Sequence, residues 1–122
     1  MLSPQLIDHF ENPRNAGDLG AGAVVVEVSN PVCGDILRIA ARLSDGRVAE
    51  VRFKTRGCTA SIAAGSALTV WLTGKGAAEI AGLDPAVIDE ALGGLAAESK
   101  HVALLCRDAA RALARAIRHP GV

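Results

Sequence analysis

A run of uncharged residues constrains the fold of this chain more than any other feature. No side chain from Gly57 to Gly74 carries a charge, and a stretch of that length is close to the minimum for a membrane span. The run is also rich in hydroxyl groups and glycine, which lower its mean hydropathy below that of a span. A helix without a polar face is typical of a globular core. We therefore predict a buried helix of small residues from about Thr59 to Leu72, ended by Gly74.

The segment before this run has the pattern of an antiparallel sheet. Apolar and polar residues alternate in Ile36–Leu43, and Val48–Thr55 returns after Asp45-Gly46, a pair typical of hairpin turns. The β-branched segment Val24–Val28 predicts a further strand. One face of this meander is apolar, and the other is polar and faces solvent. The side chains expected on the apolar face are Leu37, Ile39, Ala41, Leu43, Val51 and Phe53.

Four further helices are predicted around the sheet and the buried helix. The first covers Pro4–Glu11, with Ser3 as its N-cap, and two short ones lie near Ala77–Ala81 and Pro85–Leu92. The last runs from about Ser99 to Arg118, with an apolar stripe at helical spacing. The chain of 122 residues is long enough for one modest core, so we predict a single α+β domain over residues 1–122.

Composition excludes several classes of function. Lys plus Arg and Asp plus Glu are 13 each, so the formal net charge is zero, and only three residues are aromatic. Binding to nucleic acid through phosphates or stacked bases is therefore not expected. The N-terminus lacks the pattern of a signal peptide, and three cysteines are too few for a disulfide scaffold. We expect a cytoplasmic protein with reduced thiols and no membrane association.

Five residues could carry chemistry: Cys33, Asp35, Cys58, His101 and Cys106. Thiolate, carboxylate and imidazole all bind zinc, and thiolates hold iron–sulfur clusters. The positive end of the helix after Cys58 favours the thiolate form of that residue. Cysteine is often buried, so core packing is at least as good an explanation for Cys106 as function. No tight CxxC pair is present, and the residues alone indicate only a thiol-containing site.

Taken together, several motifs identify a family. The chain resembles the IscU/NifU-type iron–sulfur cluster assembly scaffolds from about Leu6 to Ile117. The resemblance implies a small three-stranded antiparallel sheet with helices packed on one face, an IscU/SufE-like fold. The stretches that carry it are IDHFENPRN from Ile7, NPVCGD from Asn30, RFKTRGC from Arg52, the alanine- and serine-rich helix to Trp71, and Gly74-Lys75.

The resemblance also implies a role and a ligand set. The role is to hold a transient 2Fe–2S cluster, built from iron and from sulfur delivered by a cysteine desulfurase, for transfer to apo acceptor proteins. The family's first two ligand cysteines match Cys33 and Cys58, and its aspartate matches Asp35. Zinc often occupies this site in family members, so a zinc-loaded form is also implied.

The third cysteine of the family pattern is displaced. Without gaps, His101 matches the family histidine and Val102 takes the place of the cysteine, which leaves Cys106 one helical turn further on. A four-residue gap would instead align Cys106 and put Leu105 at the histidine. In the preferred ungapped alignment, His101 and Cys106 diverge by roughly 140° around a helix. The predicted tetrahedral ligand set is therefore Cys33, Asp35, Cys58 and His101.

Three functions stay open on these residues. The first is a non-enzymatic scaffold for a labile 2Fe–2S cluster, which we favour. The second is a zinc-dependent sulfur acceptor, a transferase that would carry a persulfide on Cys58 or Cys106. The third is a diverged binding module with a structural zinc or an empty site. The stretch from Leu95 to Lys100 lacks the two prolines that family members use to recruit an Hsp70-type chaperone, which puts that recruitment in doubt.

Overall fold

The computed structural model describes residues 2–31 and 34–119. Their architecture is a three-stranded antiparallel sheet with helices on one face, so the predicted α+β class is confirmed. The elements in chain order are α1 (Pro4–Glu11), β1 (Val24–Asn30), β2 (Asp35–Ser44), β3 (Arg47–Arg56), α2 (Thr59–Leu72), α3 (Ala77–Ala81), α4 (Pro85–Ala91) and α5 (His101–Arg118), with one 3-10 turn at Ala97–Ser99 before α5.

The sheet is a meander in the order β1-β2-β3. Val26 pairs with Ile39, and Ile39 pairs with Phe53, so β2 lies in the middle. The predicted hairpin between β2 and β3 is confirmed, because Asp45 and Gly46 both have positive φ, 54° and 76°. A two-residue hairpin turn whose twist matches that of the strands requires positive φ at both of its residues.

A bulge in β3 changes which side chains reach the core. Arg42 pairs with Glu50 but Leu43 pairs with Val48, so Ala49 has no partner on β2. The extra residue puts Val48 and Val51 on the same face, although they are three apart. Both are buried, with 2% and 1% of their surface exposed. Strict alternation predicts Val51 on the core face but not Val48.

Helix α2 is the buried helix that the uncharged run predicts, with the same bounds. Ten of its 14 residues are buried. Small residues let it approach the sheet closely: a Cβ added at Gly65 would lie 2.5 Å from Cδ2 of Phe53. Gly74, with φ of 85°, follows the helix end. Within the described ranges, no helix is both long and apolar enough to cross a membrane.

The segment after α1 is held between α2 and the sheet. Oγ of Ser66, a buried residue of α2, accepts from the backbone N–H of Arg14 at 2.9 Å and lies 2.8 Å from Nδ1 of His9. The backbone N–H of Phe53 donates to the carbonyl of Asn15, and the N–H of Gly17 donates to the carbonyl of Phe53, each at 2.9 Å. The IDHFENPRN stretch therefore makes its contacts with α2 and β3, directly beside the elements that lead to Cys58.

Candidate metal centre

Three elements meet at one end of the molecule and bring a carboxylate, a thiol and an imidazole together. Asp35 begins β2, Cys58 is the N-cap of α2 and is separated from β3 by Gly57 alone, and His101 is the first residue of α5. The antiparallel register pairs the start of β2 with the end of β3, Ile36 opposite Arg56. One donor atom from each of the three side chains lies within 4.8 Å of the other two.

Asp35 is the buried member of this group. Only 4% of its surface is exposed, and a buried carboxylate needs hydrogen-bond donors. Its Oδ2 accepts from Oγ of Ser61 at 2.9 Å and lies 3.0 Å from Nε2 of His101. An ionised carboxylate only accepts, so Nε2 carries the proton in this contact. The carboxylate is thus held in place from two helices, α2 and α5.

Cys58 and His101 are the members that solvent reaches. Cys58 is exposed, and the side chain of His101 is 24% exposed. The backbone carbonyl of Cys58 accepts from the N–H groups of Ser61 and Ile62, while its side chain makes no capping bond. Its thiol lies 3.4 Å from Oγ of Ser61 and is reached by solvent, so a metal ion can approach it from the surface.

Gly57 is needed here for space. A Cβ at this position would lie 2.5 Å from Oδ1 of Asp35 and 2.8 Å from Oγ of Ser61. Carbon atoms do not approach oxygen that closely, so any side chain would push the carboxylate or the hydroxyl away. The sequence patterns single out neither Gly57 nor Ser61 as a site residue. The contacts that involve Asp35 span more than 20 residues, which local patterns do not reveal.

Cys33, the predicted first ligand, lies outside the described residues. Its neighbour Gly34 has φ of 75°, in the left-handed region that glycine adopts without strain. The N–H of Gly34 donates to the carbonyl of Asn30 at 2.7 Å. The backbone directly before Asp35 therefore turns at Gly34, in a conformation that favours glycine.

Cys106 does not join the group. It is fully buried, and its thiol donates to the carbonyl of Ala64 at 3.6 Å. Burial raises the pKa of the Cys106 thiol to about 12, so it is neutral at pH 7 and is not a nucleophile in this conformation. Val102, which takes the place of the family's third cysteine, is also fully buried. The structure thus favours core packing, one of the two explanations that the sequence left open for Cys106.

The described donors fit a tetrahedral metal ion. Ligand bonds of about 2.0–2.3 Å place neighbouring donor atoms roughly 3.3–3.8 Å apart. The observed separations lie within 4.8 Å, and the contact between Asp35 and His101 is 3.0 Å. Small side-chain movements would therefore bring all three onto one ion. Sulfur, nitrogen and oxygen donors together suit zinc or iron.

Comparisons with known proteins identify the family of this chain. The sequence profile of the NifU-like N terminal domain matches residues 1–119. "Iron-sulfur cluster assembly scaffold protein IscU 1" of Archaeoglobus fulgidus is 40% identical over 111 residues, which are 91% of this chain and 72% of that protein. The IscU scaffold proteins of Azotobacter vinelandii and Escherichia coli K12 are 34% and 36% identical. The alignments cover 96% and 90% of this chain, and 94% and 88% of those proteins.

A solved structure has the same fold. The N-terminal domain of a nitrogen-fixing NifU-like protein from Brucella abortus superposes with a TM-score of 0.76. The match covers 98% of this chain and 95% of that one, at 19% sequence identity, which bears on the fold alone. The resemblance stated from the motifs is confirmed by the profile and by the relatives. The chain belongs to the family of NifU-like N-terminal domains, together with the IscU scaffold proteins.

Proposed function

We propose that this protein is a scaffold on which a 2Fe–2S cluster is assembled as cargo and from which it is transferred. The observation that carries the proposal is the meeting of a thiol, a carboxylate and an imidazole within 4.8 Å. Relatives of similar length are named iron–sulfur cluster assembly scaffold proteins. Iron and sulfur supplied by a cysteine desulfurase would be the substrates, and apo iron–sulfur proteins the acceptors.

We assign four residues to the cluster: Cys33, Asp35, Cys58 and His101. Three of them supply the donors described above, and Cys33 is included because the NPVCGD motif matches the family's first ligand. Thiolates are the strong ligands of iron–sulfur clusters. Replacing two of four thiolates by a carboxylate and an imidazole leaves a weaker hold on the irons. A weak hold is what a cargo site needs, because the cluster has to leave.

Anaerobic reconstitution tests this proposal. Wild-type protein incubated with ferrous iron and sulfide should gain the visible absorbance of a 2Fe–2S cluster, and Cys58→Ala should lose it. Cys106→Ala is the matched control, since it removes a thiol that lies in the core. It should keep the absorbance as long as it stays folded. A colourless wild-type protein would exclude the scaffold role, and loss of colour in folded Cys106→Ala would exclude the ligand assignment.

Two observations favour a second candidate, a zinc-bound sulfur acceptor. The donor set suits zinc, and Cys58 is exposed to an incoming sulfur donor. A persulfide would form on Cys58 rather than on Cys106, whose thiol is buried and neutral. Mass spectrometry after incubation with a desulfurase and cysteine should then find one added sulfur atom on Cys58. If no thiol gains sulfur while cluster assembly proceeds with added sulfide, the scaffold role stands alone.

The third candidate, a binding module with a structural zinc, predicts a different result. A structural ion contributes to folding, so a chelator should lower the melting temperature of the metal-loaded protein by many degrees. A cargo site should lose its metal with little effect on the fold. Because Asp35 is held by two hydrogen bonds without an ion, we expect only a small shift.

A further inference from the structure

Ser61 lies between two of the proposed ligands. It is in the first turn of α2, three residues after Cys58, and residues three apart share one face of a helix. Its Oγ is 2.9 Å from Oδ2 of Asp35 and 3.4 Å from Sγ of Cys58. Only 3% of the residue is exposed. The hydroxyl is therefore a buried polar group whose described side-chain partners both belong to the metal centre.

The direction of these contacts follows from proton counting. A hydroxyl has one proton, and the ionised carboxylate of Asp35 has none, so Ser61 donates to Asp35. The lone pairs of Oγ then face the thiol of Cys58, which can donate to them as S–H. Ser61 thus fixes the carboxylate from α2, the same helix turn that carries Cys58 at its cap.

The fit around Ser61 leaves little freedom. The backbone N–H of Ser61 already donates to the carbonyl of Cys58 at 3.0 Å, which closes the first turn of α2. A Cβ at Gly57 would lie 2.8 Å from Oγ. A small hydroxyl therefore fits this place, and the turn fixes the backbone from which it reaches Asp35.

We propose that Ser61 is a positioning residue of the metal centre, which holds the carboxylate of Asp35 in the ligand orientation. The inference rests on the proposed function and adds a residue to it. Ligating carboxylates are themselves hydrogen-bonded in metal sites, and loss of such an outer partner costs about 10- to 100-fold in metal affinity. Ser61 acts through Asp35, so its effect should vanish when Asp35 is removed.

Metal titration tests this role without any cluster chemistry. Zinc affinity, measured by competition with a chromophoric chelator, should fall about 10- to 100-fold in Ser61→Ala. The visible bands of bound Co²⁺, which report ligand geometry, should shift as well. Ser66→Ala is the control: it removes a buried hydroxyl of the same helix that contacts His9 and Arg14 instead of the metal centre. It should lower the melting temperature but leave zinc affinity and the Co²⁺ spectrum unchanged.

A double-mutant cycle separates positioning from general stability. In an Asp35→Ala background, Ser61→Ala should change zinc affinity less than two-fold, since its target is gone. Unchanged zinc affinity in Ser61→Ala, or equal losses in both backgrounds, would overturn the role of Ser61. A wild type that binds zinc but forms no cluster would refute the scaffold function and leave this role standing. A wild type that binds neither zinc nor Co²⁺ would refute both.

Discussion

The imidazole of His101 and the carboxylate of Asp35 are hydrogen-bonded to each other across 66 residues of sequence, with Nε2 3.0 Å from Oδ2. The contact joins the start of α5 to the start of β2. Because these two proposed ligands hydrogen-bond to each other, the buried carboxylate has a partner without a metal ion. An incoming ion must open this contact slightly, because ligands on one tetrahedral ion lie about 3.3 Å apart or more.

Removing the imidazole should therefore weaken metal binding more than removing an outer partner does. His101→Ala removes a proposed ligand, and of the two donors described for Asp35 only Ser61 remains. We expect zinc affinity to fall by about 100-fold or more, beyond the range typical of outer-shell changes. Chelator competition measures it. His119→Ala, at the exposed far end of the same helix, should bind zinc like the wild type.

Thiol accessibility should differ sharply between the two described cysteines. In a Cys33→Ser background, an aromatic disulfide reagent should react with Cys58 within the native protein, because this thiol is exposed. Cys106 should react only when the protein unfolds, since it is fully buried with a pKa of about 12. Rapid labelling of two thiols in native protein would contradict the core position of Cys106.

Close packing between α2 and β3 should make Gly65 intolerant of substitution. In Gly65→Ala, the new methyl group would lie 2.5 Å from the ring of Phe53, and such overpacking costs about 1–3 kcal/mol. The helix preference for alanine offsets up to about 1 kcal/mol of that cost. Urea unfolding should report a net loss of stability. Gly82→Ala serves as control, because its Cβ would meet no atom closer than 3.6 Å.

Stability should depend on pH through His9. Burial lowers the pKa of His9 below its ordinary value of 6.5, and Arg14 adds to the effect. Between the folded and the unfolded pKa, the unfolded chain binds more protons, so stability rises with pH there. The contribution of His9 to the free energy of unfolding is complete above pH 6.5, and it is lost as the pH falls through the pKa of His9 in the folded protein. Unfolding free energies of wild type and His9→Gln should converge as the pH is lowered from 7.5 to 5.

If the two proteins keep a constant difference in unfolding free energy over that range, the contact between His9 and Ser66 does not titrate as described.

Local patterns predicted most of the secondary structure. Ser3 accepts from the N–H of Leu6 and Asp84 accepts from that of Ala86, as expected for N-caps next to proline. The burial of Val48 was not predicted, because a bulge breaks the two-residue period on which the strand prediction depends. The start of α5 was placed two residues early, since Ala97–Ser99 forms a separate 3-10 turn.

The candidate site, too, was predicted in part from local motifs and depends in part on contacts between residues distant in sequence. Asp35, Cys58 and His101 were predicted from motifs that match a family, and they lie together. Ser61 and Gly57 were missed because their importance comes from contacts with Asp35, more than 20 residues away in sequence. The ligand roles of Cys33, Asp35, Cys58 and His101 stay predictions. Which of two explanations applies to Cys106 depended on its depth in the core, which helical spacing alone does not give.

The outer edge of β3 is occupied by the chain itself. The backbone groups of Phe53 bond to Asn15 and Gly17, and those of Val48 bond to Gly74 and Lys75. A bare edge strand is a template on which a second molecule can add its own strand and begin a fibre. Here two short segments from distant parts of the sequence take those positions first. Fewer backbone groups on this edge of the sheet are therefore left for a second molecule to pair with.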